Sequence, residues 1–387
     1  MPWRETDVMS QRIEFVVRAG RGDSTISGLC REYGVSRKTG HKWLKRYREV
    51  GNLQGLEELP RRPRTSPSQT PKAIEDRVVE LRKKYGWAGK KLSRLLEGEG
   101  IFLSPSTVDR IIKRRGLVRR DKSSRPAPSR FERLHPNELW QMDFKGKYRL
   151  RGGGQCYPLS LLDDHSRFAL GLFALSVPDT FAVQTSLVSV FEHYGLPESI
   201  LCDHGSPWWS SSSGHGLTTV SVELIKQGIK LIHGGFAHPQ TQGKVERFHR
   251  TVGEALIHRG VPQTVPGLGA AFDQIRHEYN EIRPHESLDL QVPAAVYRPS
   301  SRQYQAQPRE WVYPENSDIK KIDANGFLCL NRKRHFVSEA LRNERVWCQS
   351  FGGRILITYR HMHIREIDLQ TGRSFAVVRP HNRNQTP

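Results

Sequence analysis

The spacing of apolar residues changes along the chain, and each change marks a domain. In the first third the period is helical. Residues 5–18 carry Met9, Ile13, Val16 and Val17 on one face, and residues 24–33 carry Ile26, Leu29 and Cys30. Gly34 breaks that run, Val35 is placed to plug the turn, and Ser36 caps a third helix over 37–48 that offers Trp43, Leu44 and Tyr47 for packing. Two short helices joined by a Gly-containing turn describe a helix-turn-helix. A second unit repeats the pattern. Residues 72–85 carry Ile74, Val78, Val79 and Leu81, and residues 90–97 carry Leu92, Leu95 and Leu96. Ser104-Pro105 then opens a helix over 106–115, with Pro at the first turn and Val108, Ile111 and Ile112 inward.

From residue 134 strand periods alternate with helical ones. Residues 138–148 read as a strand with Asp143 near its middle, and 157–162 and 168–174 continue an antiparallel meander. There follow a helix over 181–194, a strand over 199–201, a helix over 220–226 and a strand over 229–232. A helix begins at about 244, with Val245, Phe248, Val252 and Leu256 facing a core, and another spans 268–281. The order βββαβαβαα predicts a mixed sheet with helices on its faces. From 319 onward, short strands separated by Asn-Gly and Gly-Gly turns predict a small β-barrel. The expected organisation is multidomain α+β: helix-turn-helix units at 1–55 and 72–118, an α/β core at 134–299 and a β-barrel at 315–377. A Pro/Arg linker (56–71), a basic linker (119–133), a polar linker (300–314) and a disordered tail (378–387) separate and end them.

Charge sharpens this picture. The 387 residues carry a net +21, which calls for a polyanion, most simply nucleic acid. Residues 1–130 hold 31 Lys/Arg against 15 Asp/Glu, so most of the excess lies in the two helical units. The exposed N-terminal part of each second helix is where a helix-turn-helix reads bases and phosphates. This selects Arg37, Lys38, Thr39, His41 and Lys42 in the first unit, and Ser106, Thr107, Arg110, Lys113 and Arg114 in the second. The plainer alternative is a pair of ordinary basic helical hairpins. Arg61, Arg62 and Arg64 among prolines suit an extended minor-groove arm or a solvated tether. The five cysteines are scattered without a CxxC pair, so neither a zinc finger nor a disulfide framework is expected. The opening residues lack the apolar core of a signal peptide, and no apolar run reaches membrane-spanning length. A soluble, cytoplasmic protein is the expectation.

Three carboxylates carry the candidate chemistry. Asp143 interrupts the first strand of the core, Asp203 follows the fourth, and Glu246 opens the helix after the fifth. If the first and fourth strands are neighbours, the two aspartates meet at one edge of the sheet and the helix brings Glu246 to them. Alone, Glu246 reads as a solvated partner of Arg250. Together, the three repel unless a cation lies between them. Oxygen ligands with open positions suit Mg²⁺ or Mn²⁺, and two such ions about 4 Å apart serve phosphodiester displacement. No GxxxxGK[ST] loop is present, so ATP use is not indicated. Asp163 and Asp164, adjacent in DDHSR, are set aside as turn residues. His204, His238 and His249 are read as loop or surface contacts. Trp208 and Trp209, in the polar loop 206–216, read as exposed, either stacking on an unpaired base or packing the loop.

WQMDFKG around Asp143, LCDHGSPW around Asp203 and HPQTQGKVERFHRT around Glu246 resemble the DDE core of insertion-sequence transposases in the retroviral-integrase superfamily. SRKTGHKWLKRY near the N-terminus and YNEIRPHESL near residue 285 look like signatures of the insertion sequence 481 group. The resemblance implies an RNase H-like core with Asp143, Asp203 and Glu246 as catalytic metal ligands, and two Mg²⁺ or Mn²⁺ ions. It implies strand transfer on double-stranded DNA, at inverted-repeat ends and at a target. It further implies DNA contacts at Lys244, Arg247 and Arg250 and assembly as a homodimer or larger. His204 stands where relatives often have Asn, and Trp208 where they often have Phe. A silent DNA-binding regulator and an RNase H-like nuclease are the alternatives.

Overall fold

A computed structural model of the chain describes residues 7–22, 24–59, 69–118, 132–210, 216–233 and 243–377. It divides into two compact units, Met1–Thr70 and Pro71–Pro387. Arg61, Arg62, Arg64, His238, most of the basic linker and the tail lie outside the described residues.

The first unit holds α1 (Val8–Arg21), α2 (Ile26–Glu32) and α3 (Arg37–Val50) around Phe15, Val16, Leu29, Cys30, Trp43, Leu44 and Leu56. The Ser36 hydroxyl accepts from Thr39 N–H at 3.1 Å, so the expected cap is in place. α1 is rotated relative to the expected face. Phe15 is buried and Val17 is 43% exposed, because the larger ring fills the gap beside Gly40. Val35 is exposed rather than plugging the turn. Leu56 is fully buried in this unit, which therefore extends past residue 55.

The second unit opens with α4 (Lys72–Tyr85), α5 (Gly89–Gly98) and α6 (Pro105–Arg114), packed on Val78, Leu81, Trp87, Leu92, Leu96, Val108 and Ile111. The core sheet follows with β1 (Trp140–Phe144), β2 (Tyr148–Arg149), β3 (Gln155–Asp163) and β4 (Ala169–Leu175). The single strand expected over 138–148 is thus broken at Lys145–Lys147 into two pieces, both lying along β3. Then come α7 (Thr180–Tyr194), β5 (Ser199–Cys202), α8 (Thr219–Lys226), β6 (Lys230–His233), α9 (Gly243–Arg259) and α10 (Val265–His277). β3 pairs antiparallel with β1 and β4, while β5 joins β1 and β6 joins β5 in parallel. The apolar stripe of α9 faces inward: Val245, Phe248 and Val252 are fully buried and Leu256 nearly so. A π-helical turn, Glu278–Ile282, ends α10, and α11 (Pro293–Val296) follows.

Residues 300–314 are not a free tether. Arg302 donates to the carbonyls of Gln227 (3.1 Å), Gly228 (2.9 Å) and Pro197, strapping the segment to the core. The C-terminal strands β7 (Ile319–Lys321), β8 (Phe327–Leu330), β9 (Lys333–Phe336), β10 (Arg345–Phe351), β11 (Arg354–Tyr359), β12 (Met362–Asp368) and β13 (Ser374–Ala376) do not close into the expected barrel. Five form an open antiparallel sheet in the order β13-β12-β11-β10-β7, and β8 and β9 form a separate hairpin. The edge strands β7 and β13 are three residues each, too short to bridge the ends. The sheet leans on the core instead: Arg360 donates to the Lys226 carbonyl at 2.8 Å, and Lys226 pairs with Glu344 at 3.1 Å.

Candidate active site

β1 lies beside β5 with Trp140 opposite Ile200 and Gln141 opposite Leu201. Carrying that register two residues on brings Asp143 level with Asp203. This is the adjacency the sequence reading required, and it places both aspartates where parallel strands end. The Asp143 side chain is 16% exposed. Burial pushes its carboxyl up to about 7, and the charges of Asp203 and then Glu246 push the same way, against the Phe144 backbone N–H.

Asp203 sits in a rigid loop. Its Oδ1 accepts from Gly205 N–H at 2.9 Å and from the Trp208 indole N–H at 2.8 Å. The Trp208 ring stacks on Phe144, centroids 5.0 Å apart, and its carbonyl accepts from the Ser221 hydroxyl. Trp208 and Trp209 are therefore buried, not exposed: the loop packs its aromatics against the sheet. A phenylalanine at 208 would fill that space without donating to Asp203.

Glu246 is exposed on the first turn of α9. One helical turn on, His249 is buried. Its Nε2 lies 3.0 Å from Ser160 Oγ, and its Nδ1 faces Asp143 Oδ2 at 3.7 Å. Burial, with Lys145 nearby, lowers its pKa to about 4, so the ring is neutral at pH 7. The surface reading of this histidine is corrected: it buttresses Asp143. His204 stands edge-on to Trp209, and His233 Nδ1 lies 3.2 Å from the Asp203 carbonyl. Among the described residues no three His, Cys, Asp or Glu side chains stand together as a metal-holding cluster. The charges of Asp203 and Glu246 nevertheless both act on Asp143. Their donor chemistry, three hard oxygens with mutual repulsion at Asp143, fits a divalent cation.

Arg247 and Arg250 are exposed, whereas Lys244 is turned inward onto Asp164, Nζ to Oδ2 at 2.6 Å. Both aspartates are buried: Asp163 accepts from the Ser166 hydroxyl at 2.6 Å within the turn and from Asn137 N–H at 2.8 Å, and Asp164 reaches Gln141 and Lys244. On the helical units Arg37, Lys38, His41, Lys42, Ser106, Arg110, Lys113 and Arg114 are exposed, while Thr39 and Thr107 are half-buried beside their caps. Sequence reasoning missed Gln141, Asp164, Trp208 and His249. For His249 the signal was present, since it lies on Glu246's helix beside the buried stripe.

Residues 133–231 match an integrase core domain family and 227–293 match a second one. Residues 11–64 match a helix-turn-helix domain and 39–112 a homeodomain-like domain. The chain is 25% identical over 255 residues to an uncharacterised 31.7 kDa protein of insertion element IS407 from Burkholderia multivorans, covering 64% of this chain and 88% of that protein. It is 22% identical to the transposase for transposon Tn552 of Staphylococcus aureus, over 62% of this chain and 54% of that protein. The magnesium-bound HTLV-2 integrase catalytic core is similar at 15% identity and a TM-score of 0.34, over 43% of this chain and 99% of that one. The integrase core and helix-turn-helix matches, with the insertion-element relatives, support an insertion-sequence transposase of the retroviral-integrase superfamily. DNA binding and DNA transposition follow at that level. No helix among the described residues is long and apolar enough to cross a membrane.

Proposed function

We propose that this chain is a DDE transposase that binds the inverted-repeat ends of its own element, hydrolyses a strand at each end and joins the freed 3′ hydroxyl to target DNA. The observation that supports this reading is the pairing of β1 with β5, which brings Asp143 level with Asp203, with the charge of Glu246 also felt at Asp143. Asp143 from β1 is held near neutrality by burial and by the charges of Asp203 and Glu246. Such crowding is costly in a protein with no use for a cation. Asp143, Asp203 and Glu246 would hold Mg²⁺ or Mn²⁺, as two ions. When bound, the ions supply Lewis acidity toward phosphodiester oxygens. The chain's own part is positional: Trp208 and Gly205 fix Asp203, and His249 backs Asp143. The helix-turn-helix units hold the ends, and Arg247 and Arg250 face the DNA from α9. Two ends joined in concert call for a dimer or larger assembly on DNA.

The test uses linear DNA carrying the sequences that flank the reading frame, with Mg²⁺ or Mn²⁺. Metal-dependent 3′-end nicking and joined products with the wild type, absent with Asp203→Asn, support the reading. Tight binding of the ends with no cleavage by either protein favours the silent regulator. Nicking without joined products favours the nuclease.

A further inference from the structure

Adjacent aspartates in a turn are common, yet Asp164 is fully buried and its hydrogen bonds leave the turn. Its Oδ1 accepts from Gln141 Nε2 at 2.8 Å, and its Oδ2 accepts from Lys244 Nζ at 2.6 Å and from Arg133 N–H at 2.9 Å. The same Lys244 Nζ donates to the Asp164 carbonyl at 3.0 Å. Gln141 is also fully buried, and its Oε1 accepts from the Val245 backbone N–H at 3.2 Å. That N–H lies in the first turn of α9, where donors have no partner within the helix. Gln141 stands two residues before Asp143 on β1, and Val245 directly precedes Glu246. One buried amide thus faces both ways, to Asp164 and to the helix.

We propose that Asp164 and Gln141 are positioning residues, a buried brace that locks the first turn of α9, and with it Glu246, against the strand that carries Asp143. This rests on the carboxylate reading above. Neither residue touches the reacting atoms. The brace acts because a buried polar network favours one arrangement, and a displacement of α9 stretches the bonds that Gln141 and Asp164 make to its first turn. Glu246 itself is exposed. Lys244, in this arrangement, serves the helix and not the DNA.

The experiment measures Mn²⁺ binding to the full chain by water-proton relaxation, alongside duplex binding in EDTA and nicking as a function of Mn²⁺. The variants are Gln141→Met, Asp164→Asn, and Asp164→Asn combined with Lys244→Met, with Asp203→Asn as reference. Loss of a group that orients metal ligands typically weakens metal binding by about tenfold to a hundredfold. Gln141→Met and the double variant are expected to weaken Mn²⁺ binding, and to raise the Mn²⁺ needed for half-maximal nicking, by roughly tenfold, with duplex binding in EDTA unchanged. The double variant also removes the ammonium whose carboxylate partner Asp164→Asn takes away, so it separates positioning from stability. A double variant that melts like wild type yet binds Mn²⁺ weakly supports the brace. If it and Gln141→Met bind Mn²⁺ as wild type does while Asp203→Asn does not, the brace is wrong and the carboxylate site stands. If Asp203→Asn also binds as wild type does, the carboxylate reading itself falls, and the brace with it.

Discussion

Ser36 opens α3 and Ser104 opens α6, and in each case the hydroxyl accepts from the N–H of a threonine three residues on. Each unit also brings two helices together over a glycine, Gly40 against Cys30 and Phe15 in the first, Gly89 against Pro105 and Asp109 in the second. The charges are used differently. On α3, Arg37, Lys38 and His41 are exposed and form no ion pair among the described residues. On α6, Arg114 joins Arg115 on the buried Glu75, and on α4 Arg82 is spent on the carbonyls of Gly86, Trp87 and Leu117. The second unit is also tied to the integrase core. Arg283 lies over the Trp87 ring at 5.5 Å, Lys90 pairs with Glu286 at 3.3 Å, and His258 Nε2 meets the Lys83 carbonyl. Two copies of one helical grammar thus differ in what their cations face. The first leaves Arg37, Lys38 and His41 exposed on α3, and the second ties cations both to its own fold and to the core.

The largest expected effect tests that contrast directly. Replacing Arg37 and Lys38 together by alanine should weaken binding to a duplex carrying the element's ends by roughly fivefold to a hundredfold, since a base-edge hydrogen-bond pair is worth about 1–3 kcal/mol. Replacing Arg110 and Lys113 should cost less, and should reduce the slope of log affinity against log salt by about one for each phosphate no longer neutralised. Equal losses, or a larger loss from the second pair, would break the comparison. Fluorescence anisotropy across a salt series reads both quantities.

Next in size is the pair of glycines. A Cβ at Gly40 would lie 2.5 Å from Cys30 Sγ and 2.8 Å from the Phe15 ring, both side chains. At Gly89 it would lie 2.5 Å from the Pro105 carbonyl oxygen, which cannot swing aside, and 2.5 Å from Asp109 Oδ1, which accepts from Gly89 N–H. Overpacking of this kind costs about 1–3 kcal/mol, so both Gly→Ala changes should lower the melting temperature. Gly89→Ala should be the worse, because its clash is with backbone. Thermal melts followed by circular dichroism decide the order.

What was legible follows the same division between local and distant causes. The caps at Ser36 and Ser104 and the inward stripe of α9 are set by residues within one or two turns, and they stand where periodicity puts them. For the aspartate pair the sequence offered only a condition, that the first and fourth strands be neighbours, and the pairing of β1 with β5 meets it. Trp208 was misread because a polar loop was taken as exposed, whereas its burial depends on Phe144, 64 residues earlier. Asp164 was misread for the same reason: its partner Lys244 lies 80 residues on. Barrel closure failed likewise, since alternation predicts strands but not whether the first and last are long enough to meet.

The smallest expected effect isolates the charge that the second unit spends on itself. Glu75 is 3% exposed, and its carboxylate accepts from Arg114 and, at 3.1 Å, from Arg115. Gln at this position keeps the shape and removes the charge. The arginine side chains are 39% and 36% exposed, so water still reaches them and the loss is discounted to about 1 kcal/mol. The matching change in the first unit is Glu32→Gln, which breaks the exposed Arg18–Glu32 pair and should leave the melt unchanged. A second consequence separates the units further. With Glu75 neutral, Arg114 is released toward solvent on the face that also carries Arg110 and Lys113. Affinity for duplex of unrelated sequence should then rise severalfold at low salt, with a salt slope steeper by up to about one. Glu32→Gln should do neither. A Glu75→Gln protein that melts lower but binds DNA no better would mean that Arg114 lies away from the DNA, leaving the second unit with Arg110 and Lys113 as its grip.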